Sequence, residues 1–260
     1  MKRRLNNIFK SDGKSIVLAI DHGGAFNVLP ELNNTGEIIE KCKESGIDAI
    51  LTTYGIVTSY QKEIGDLGII LRADGGVSQL AKTRDKSVEV LYSVETALRI
   101  GADGMLCMGF PGASNEDTTL KGLARLVAEA NEWNMPIGAE MLPRGFEPAE
   151  DSRTPENVAF ACRLGAEIGA DFIKTDYTGD KESFKKVVEG CYKPVLVLGG
   201  SKAKEDRDLL QMIKDSMDAG ARGVIIGRNI WRRPDPGKVC AAINAIVHEN
   251  AEVEEALKLL

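Results

Sequence analysis

The sequence has few of the residues that characterise metalloproteins and disulfide-rich secreted proteins. It contains two histidines, His22 and His248, so a histidine-rich metal site is not expected. Its five cysteines are an odd number without paired spacing, which predicts reduced thiols instead of a disulfide framework. No apolar run is long enough to cross a membrane, and no apolar signal core follows the basic first residues. These features predict a cytoplasmic protein without a histidine-rich metal site, and we expect no cofactor.

A surplus of positive charge is also missing. The 33 lysines and arginines are outnumbered by 39 aspartates and glutamates, and the sequence pI is about 5.2. Nucleic acid and anionic membranes are therefore not expected as partners, and a bound phosphate would need a local site. The 260 residues, 43% of them hydrophobic, contain no linker-like segment, so we predict a single domain over residues 1–260.

A short glycine motif recurs where helical periodicity gives way to strand-like apolar runs. In each copy a glycine supplies the left-handed turn that ends a helix, and a strand follows within a few residues. The four copies lie at residues 46–49, 101–104, 169–172 and 220–223. The predicted strands are residues 15–21, 49–54, 68–72, 104–109, 136–141, 172–175, 194–198 and 223–227. The clearest predicted helices are residues 35–45, 117–133, 154–168, 202–219 and 236–248, and a further strand is predicted within 88–92.

Eight apolar strands alternating with helices predict an α/β protein built as a single (β/α)8 TIM barrel. Strands that are apolar throughout are typical of parallel strands covered on both faces. A doubly wound open sheet is the alternative. It is disfavoured because no Gly-x-Gly-x-x-Gly motif follows the first predicted strand.

Lys174 interrupts an apolar, strand-like run at residues 170–175. Burial generally disfavours the charged form of an amine, and the neutral amine is the form that attacks a carbonyl to give a Schiff base. The other interpretation is a lysine at a strand end that reaches solvent or pairs with Asp176 or Asp180. Period-two alternation puts Phe172, Lys174 and Asp176 on one face of the strand. If that face turns into the barrel, Lys174 projects towards the mouth.

Polar residues collect where the predicted strands end, and the carboxyl ends of barrel strands carry the reactive groups. Asp21 ends the first predicted strand, where it could orient a substrate hydroxyl, pair with Lys174 or move a proton. His22 is a candidate partner. Each also has a structural interpretation, because aspartates often stop strands in Asx turns and a lone histidine in a loop is commonly structural.

Glycine-rich loops follow the seventh and eighth predicted strands, at residues 199–201 and 227–229. Barrels commonly bind phosphate with these two loops, because glycines let backbone N–H groups approach the oxygens. Ser201 could add a hydroxyl and Arg228 a guanidinium. Two ordinary tight turns are the alternative interpretation. An amine, a carboxylate and a phosphate site at one barrel mouth would suit a Schiff-base enzyme acting on a phosphorylated carbonyl compound.

Taken together, these segments resemble the archaeal-type (DhnA-like) class I fructose-bisphosphate aldolases and the related DeoC/LacD-like Schiff-base aldolases. The matching segments are LAIDHG at 18–23, PRG at 143–145, ADFIKTDYTGD at 170–180, LGGS at 198–201 and GRNIW at 227–231. The resemblance implies that Lys174 forms the Schiff base, that Asp21 assists, and that the protein is a metal-independent homo-oligomer. The substrate- and phosphate-binding residues that it implies are Arg144, Gly199, Gly200, Ser201, Gly227 and Arg228.

One position departs from the family pattern. Many members carry a tyrosine immediately before Pro-Arg-Gly, where it donates and accepts a proton, but this chain has Leu142. Tyr177, Glu140 and His22 are the candidate replacements, and the sequence does not select among them.

We therefore predict a class I aldolase, a lyase that cleaves or forms a carbon–carbon bond in a phosphorylated sugar or keto compound. A thiolase-like acyltransferase acting on a phosphorylated diketone, of the autoinducer-2 breakdown type, is one alternative. A barrel that binds a sugar phosphate without catalysis is another.

Overall fold

The computed structural model describes residues 2–24, 29–76, 78, 88–147, 149–200, 203 and 205–260. Eight parallel strands of this part of the chain close into a barrel. They are β1 Ser15–Ala19, β2 Ala49–Thr52, β3 Gly68–Arg72, β6 Gly104–Gly109, β7 Ile137–Met141, β8 Phe172–Thr175, β9 Val195–Leu198 and β10 Gly223–Ile226. Two short strands, β4 Asp74–Gly75 and β5 Glu89–Val90, pair antiparallel beside it.

The strand order around the barrel is β1–β10–β9–β8–β7–β6–β3–β2, and β1 pairs with both β10 and β2. This closure confirms the predicted barrel and excludes the open doubly wound sheet. Each predicted strand overlaps an observed one, and β5 lies within the further predicted strand. The predicted second strand ran too far, because the Thr53 side chain accepts the Ile56 N–H and caps a helix that starts at Tyr54.

Helices connect the strands. They are α1 Thr35–Glu44, α2 Tyr54–Ser59, α3 Gln61–Ile64, α4 Val94–Arg99, α5 Glu116–Glu132, α6 Pro155–Ile168, α7 Lys181–Gly190, α8 Asp206–Asp218, α9 Arg228–Trp231, α10 Pro236–Val247 and α11 Val253–Ala256. In α6, the Thr154 side chain accepts the Asn157 N–H, Pro155 occupies the first turn, and Gly169 ends the helix with a φ of +109°. No helix of the described ranges is both long and apolar enough to span a membrane.

Apolar side chains cover both faces of the barrel strands. The larger layer lies between the strands and the helices. The smaller layer fills the inside of the barrel and consists of Ile8, Val17, Ala19, Ala49, Leu51, Ile70, Leu106, Phe172, Leu196 and Ile225. Gly138, on the same interior face, has no room for a side chain, because a Cβ would collide with the Phe172 ring.

The N-terminal segment closes the amino-terminal end of the barrel. A 3-10 helix, Arg3–Asn7, leads to Ile8, whose carbonyl accepts the Ser15 hydroxyl at 2.6 Å at the start of β1. Phe9 packs edge-on against Phe172, with ring centroids 5.8 Å apart. Because this end is filled by apolar side chains, the polar interior residues gather towards the carboxyl-terminal end, where barrel active sites form.

Candidate active site

Lys174 and Glu140 lie side by side on neighbouring strands. They are register partners in the parallel pairing of β8 with β7, so both side chains project from the same face of the sheet. Lys174 Nζ lies 2.7 Å from Glu140 Oε1, and both side chains are buried. Phe172, two residues before Lys174, belongs to the interior layer. Because alternation puts Lys174 on the same face as Phe172, Lys174 points into the barrel.

Arg72, the last residue of β3, joins this pair to the end of β1. Its Nη2 lies 2.5 Å from Glu140 Oε2, and its Nε donates to Asp21 Oδ2 at 2.8 Å. A longer contact of 3.4 Å joins Nη1 to Asp74 Oδ1. In the barrel order, β3 lies two strands from β1 and two from β7, so one guanidinium contacts Asp21 after β1 and Glu140 in β7.

The charges of this cluster set the protonation of its carboxylates. Burial by itself raises the pKa of Asp21, but the positive charges of Arg72 and Lys174 outweigh it and hold that pKa well below its usual value. Burial likewise raises the pKa of Glu140, yet Lys174 and Arg72 lower it overall. Both carboxylates are therefore ionised at neutral pH.

Asp74 differs from the other two carboxylates of the cluster. Burial raises its pKa, and the more distant Arg72 does not fully compensate. Its Oδ2 accepts the Met108 N–H at 2.6 Å, which fixes it to the backbone of β6. Arg72 and Lys174 thus balance the charges of Asp21 and Glu140. In the described part of the chain, no group of three or more metal-ligating side chains is arranged to hold a metal.

His22 lies beside Asp21 but is held by structural neighbours. Its Nδ1 is 3.5 Å from Asp21 Oδ1, and its ring packs edge-on against Trp231 at 5.3 Å. Trp231 in turn donates to the Ala19 carbonyl at 3.0 Å. Burial lowers the pKa of His22, so the ring is neutral at physiological pH. The structure brings His22 to the edge of the cluster, against Asp21.

Tyr177 faces the other way from Lys174. Its hydroxyl donates to Asp215 of α8 at 3.3 Å, and its ring packs against Phe184 of α7, on the helix side of the barrel wall. The structure does not bring Tyr177 to the Lys174 cluster.

The two predicted phosphate loops contact each other. Arg228 Nη2 donates to the Gly200 carbonyl at 2.9 Å. Asn229 donates to the Gly199 carbonyl at 2.7 Å and accepts the Ala203 N–H at 2.7 Å, so it fastens the loop after β9 to the one after β10. Gly200 has a φ of +61°, which favours glycine. Ser201 lies outside the described residues.

Gly227 and Arg144 have structural contacts of their own. A Cβ on Gly227 would collide with the Ala19 carbonyl oxygen, so glycine is required there for close packing. Arg144 has a φ of +63°, and its guanidinium binds the Asp151 carboxylate at 2.8 Å and the Gly112 carbonyl at 3.0 Å. Arg144 thus braces the loops at the mouth, and the structure does not bring it into contact with the Lys174 cluster.

Leu142 continues the interior face of β7. It stands two residues beyond Glu140, so alternation puts both side chains on the same face, with Leu142 nearer the mouth. It packs in a small apolar cluster with Phe110, Val88 and Met108. Position 142 thus provides an apolar contact and no group that can carry a proton.

Arg72 was not among the predicted catalytic residues. The available signal was a charged residue at the end of the apolar run Gly68–Arg72, which is the same kind of signal that marked Lys174. Asn229 was named only as part of a loop. Its role as a clamp depends on contacts between two loops that are far apart in sequence.

Comparison with known proteins gives a consistent result. A family model described as DeoC/LacD family aldolase matches residues 15–233. A 2-amino-3,7-dideoxy-D-threo-hept-6-ulosonate synthase of Halobacterium salinarum is 37% identical over 254 residues, covering 98% of this chain and 94% of that protein. A class 1 fructose-bisphosphate aldolase of Thermoproteus tenax is 33% identical over 258 residues, covering 97% and 96%.

Solved structures agree with the sequence relatives. An archaeal fructose 1,6-bisphosphate aldolase superposes with a TM-score of 0.87 at 31% identity, covering 95% of this chain and 99% of that one. Another such aldolase, described with its catalytic lysine covalently bound to the carbinolamine intermediate of its substrate, gives a TM-score of 0.86 at 31% identity. That superposition covers 95% of this chain and 98% of the other.

Proposed function

Because this chain belongs to the DeoC/LacD family of aldolases, we propose that Lys174 is its Schiff-base residue and that its substrate is a phosphorylated keto compound. The protein is a class I aldolase of the fructose-bisphosphate aldolase type, and therefore a lyase. The observation that carries the proposal is the position of Lys174, whose buried Nζ lies 2.7 Å from Glu140 Oε1 inside the barrel.

The chemistry follows from an amine at this place. The neutral amine attacks the substrate ketone, and loss of water leaves a protonated imine. This iminium withdraws electrons, so it stabilises the carbanion equivalent that remains when the neighbouring carbon–carbon bond breaks. Asp21, ionised by its contact with Arg72, can orient a substrate hydroxyl or accept its proton as the bond breaks.

The proposed phosphate site consists of the loops after β9 and β10. Arg228 provides positive charge beside Gly200 in a protein whose formal net charge is −6, so the attraction for phosphate is local. Gly199, Gly200 and Gly227 are proposed to let the backbone approach the phosphate oxygens. Ser201 and Arg144 stay predicted substrate contacts. The homo-oligomeric state and the cytoplasmic location also stay predictions.

The relatives narrow the substrate class. One is named for fructose bisphosphate and another for a hept-6-ulosonate, so a keto compound is common to both names. Leu142 favours a second candidate reaction. Without the phenol, a thiolase-like transfer of an acyl group from a phosphorylated diketone to a thiol would avoid the proton step that the phenol serves. Product analysis with and without a thiol acceptor separates the two reactions.

Borohydride trapping tests the proposal. We expect reduction in the presence of dihydroxyacetone phosphate to leave one stable adduct, on Lys174, and subsaturating dihydroxyacetone to label less because it lacks the phosphate. Lys174→Met should abolish adduct and turnover, since methionine keeps most of the apolar stem and lacks the amine. The matched control is Lys214→Met, at another buried lysine that pairs with Asp218 at 2.7 Å in α8, and it should label normally. An adduct mapped to a different lysine would exclude this mechanism.

A further inference from the structure

The absence of a phenol at position 142 leaves the proton carrier of the imine step unassigned. We propose that Glu140 is the catalytic acid and base that forms and hydrolyses the imine on Lys174, and that Arg72 is the residue that positions it. This inference rests on the proposed role of Lys174 and adds a second catalytic group to the same site.

Geometry selects Glu140 among the candidate replacements. Its Oε1 lies 2.7 Å from the reacting nitrogen, within the range for direct proton transfer. The Tyr177 hydroxyl is bonded to Asp215 on the helix side of the barrel wall. His22 packs against Trp231 and approaches the cluster through Asp21.

The steps balance with Glu140 as the single proton carrier. The Lys174 ammonium first passes one proton to the Glu140 carboxylate, which gives a neutral amine and a carboxylic acid. The amine lone pair then attacks the ketone carbon, the carbonyl π bond breaks, and the acid protonates the oxygen. The product is a carbinolamine with a positively charged nitrogen beside a restored carboxylate.

Dehydration again uses Glu140, first as a base towards the nitrogen and then as an acid towards the hydroxyl. The carbinolamine nitrogen returns a proton to Glu140, and the acid then protonates the hydroxyl, which leaves as water. The nitrogen lone pair forms the C=N bond, so the products are an iminium and a carboxylate. Overall an ammonium and a ketone become an iminium and water, with no net gain or loss of protons. Hydrolysis after bond cleavage runs these steps in reverse.

Arg72 determines which carboxylate oxygen of Glu140 faces Lys174. It binds Oε2 at 2.5 Å and thereby leaves Oε1 facing Lys174 Nζ. The same guanidinium also holds Asp21 at 2.8 Å, so the two carboxylates keep fixed positions on either side of it. Since the iminium carries the same charge as the ammonium it replaces, the charge balance around Arg72 is unchanged by imine formation. A site of this kind is preorganised for the step.

Glu140→Gln is the direct test, because glutamine keeps the shape and loses the exchangeable proton. The protein is mixed rapidly with dihydroxyacetone phosphate, reduced with borohydride at set times, and assayed by mass spectrometry for adduct on Lys174. We expect the rate of imine formation to fall by about 10²–10⁴-fold, the usual contribution of general acid–base catalysis, while Lys174 is still labelled at long times. Glu167→Gln, at an exposed glutamate paired with Arg163 on α6, should label at the wild-type rate.

Chemical rescue separates catalysis from a structural role. In Glu140→Ala, added formate should restore the rate in proportion to its concentration, whereas chloride should not.

For Arg72, we expect Arg72→Gln to slow labelling with little change in the concentration of substrate that half-saturates the rate. Arg72→Lys should recover part of that rate, because a cation again holds Glu140.

The possible outcomes distinguish this inference from the proposed function. Wild-type protein without an adduct on Lys174 would refute both. Labelling of Lys174 at the wild-type rate in Glu140→Gln would refute the role of Glu140 alone. Slow labelling that formate does not restore in Glu140→Ala would assign Glu140 a structural role and equally overturn the inference.

Discussion

Arg72 illustrates how one residue can organise a barrel interior. Its buried guanidinium contacts Glu140 in β7, Asp21 just after β1, and Asp74, the first residue of β4. Burying charges carries a desolvation cost even when they are paired, and the loss of one partner leaves an uncompensated charge and typically costs about 3–5 kcal/mol. Because Lys174 and Arg72 share Glu140, a substitution at any of these three residues changes the charge environment of the other two.

A further prediction at the scale of the residue concerns Leu142. We expect Leu142→Tyr to cleave fructose 1,6-bisphosphate faster than Leu142→Phe, because the two variants differ only in a hydroxyl that can carry a proton near Glu140. The gain should approach the roughly 10²-fold lower end of general acid–base catalysis. The measurement is the initial rate of triose phosphate release by each variant.

The phenylalanine variant controls for crowding of the cluster that Leu142 forms with Phe110 and Met108. Equal rates for the tyrosine and phenylalanine variants would mean that position 142 does not reach the reacting atoms in this protein. The pocket would then be shaped around leucine for a different substrate.

At the scale of the element, the N-terminal segment acts as a plug for the barrel. Ile8 is fully buried in the interior layer, and its Cδ1 reaches the first residue of β6, where a Cβ on Gly104 would come within 2.9 Å of it. Ser15 fastens the Ile8 carbonyl to the start of β1. Since the strands are only four to six residues long, a filled amino-terminal end makes a large contribution to their packing.

This packing predicts the effect of shortening the plug. Ile8→Ala should lower the free energy of unfolding by about 2–5 kcal/mol, the range for removing a large aliphatic side chain from a tightly packed core. Urea denaturation followed by circular dichroism measures the change. Phe160→Ala, at an exposed position on α6, should change stability by no more than about 0.5 kcal/mol. A loss at Ile8 no larger than that at Phe160 would show that the plug does not stabilise the barrel.

At the scale of the whole molecule, His248 connects the end of α10 to the turn before β1 and to the start of β2. It follows α10, and its Nδ1 lies 2.8 Å from Asp12 Oδ2, in the turn before β1. Its Nε2 lies 3.0 Å from Asp48 Oδ2, just before β2. Carboxylates can only accept hydrogen bonds, so both contacts require a protonated ring, and the bond to Asp48 together with that to Asp12 raises the pKa of His248.

The raised pKa predicts a pH-dependent stability. A group whose pKa is higher in the folded state stabilises the fold fully below its unfolded value of 6.5, and the contribution disappears as pH rises through the folded pKa. Wild-type protein should therefore exceed His248→Gln in stability by more at pH 6 than at pH 9, as measured by urea denaturation at each pH. Comparison with this variant removes the effect of His22, whose lowered pKa acts in the opposite direction. A constant difference between pH 6 and pH 9 would contradict the proposed charge state.

The sequence by itself determined the barrel and the residue at its centre. Apolar runs separated by helical periodicity specify buried parallel strands, and glycines such as Gly169 end the helices between them. The sequence reveals both patterns because each expresses a local physical preference. Period-two alternation also put Lys174 on the same face of its strand as Phe172, and the structure turns that face into the barrel.

Only the tertiary structure decided which groups meet Lys174. Glu140 stands beside it because of the register between β7 and β8, and Arg72 reaches both Glu140 and Asp21 because of the strand order around the closed barrel. Arg144 stays a predicted substrate contact, and the fold adds contacts with Asp151 and Gly112 that the sequence did not indicate. The contacts of Arg72 with Glu140 and Asp21 join residues tens of positions apart, so they depend on global closure, which no local pattern of residues encodes.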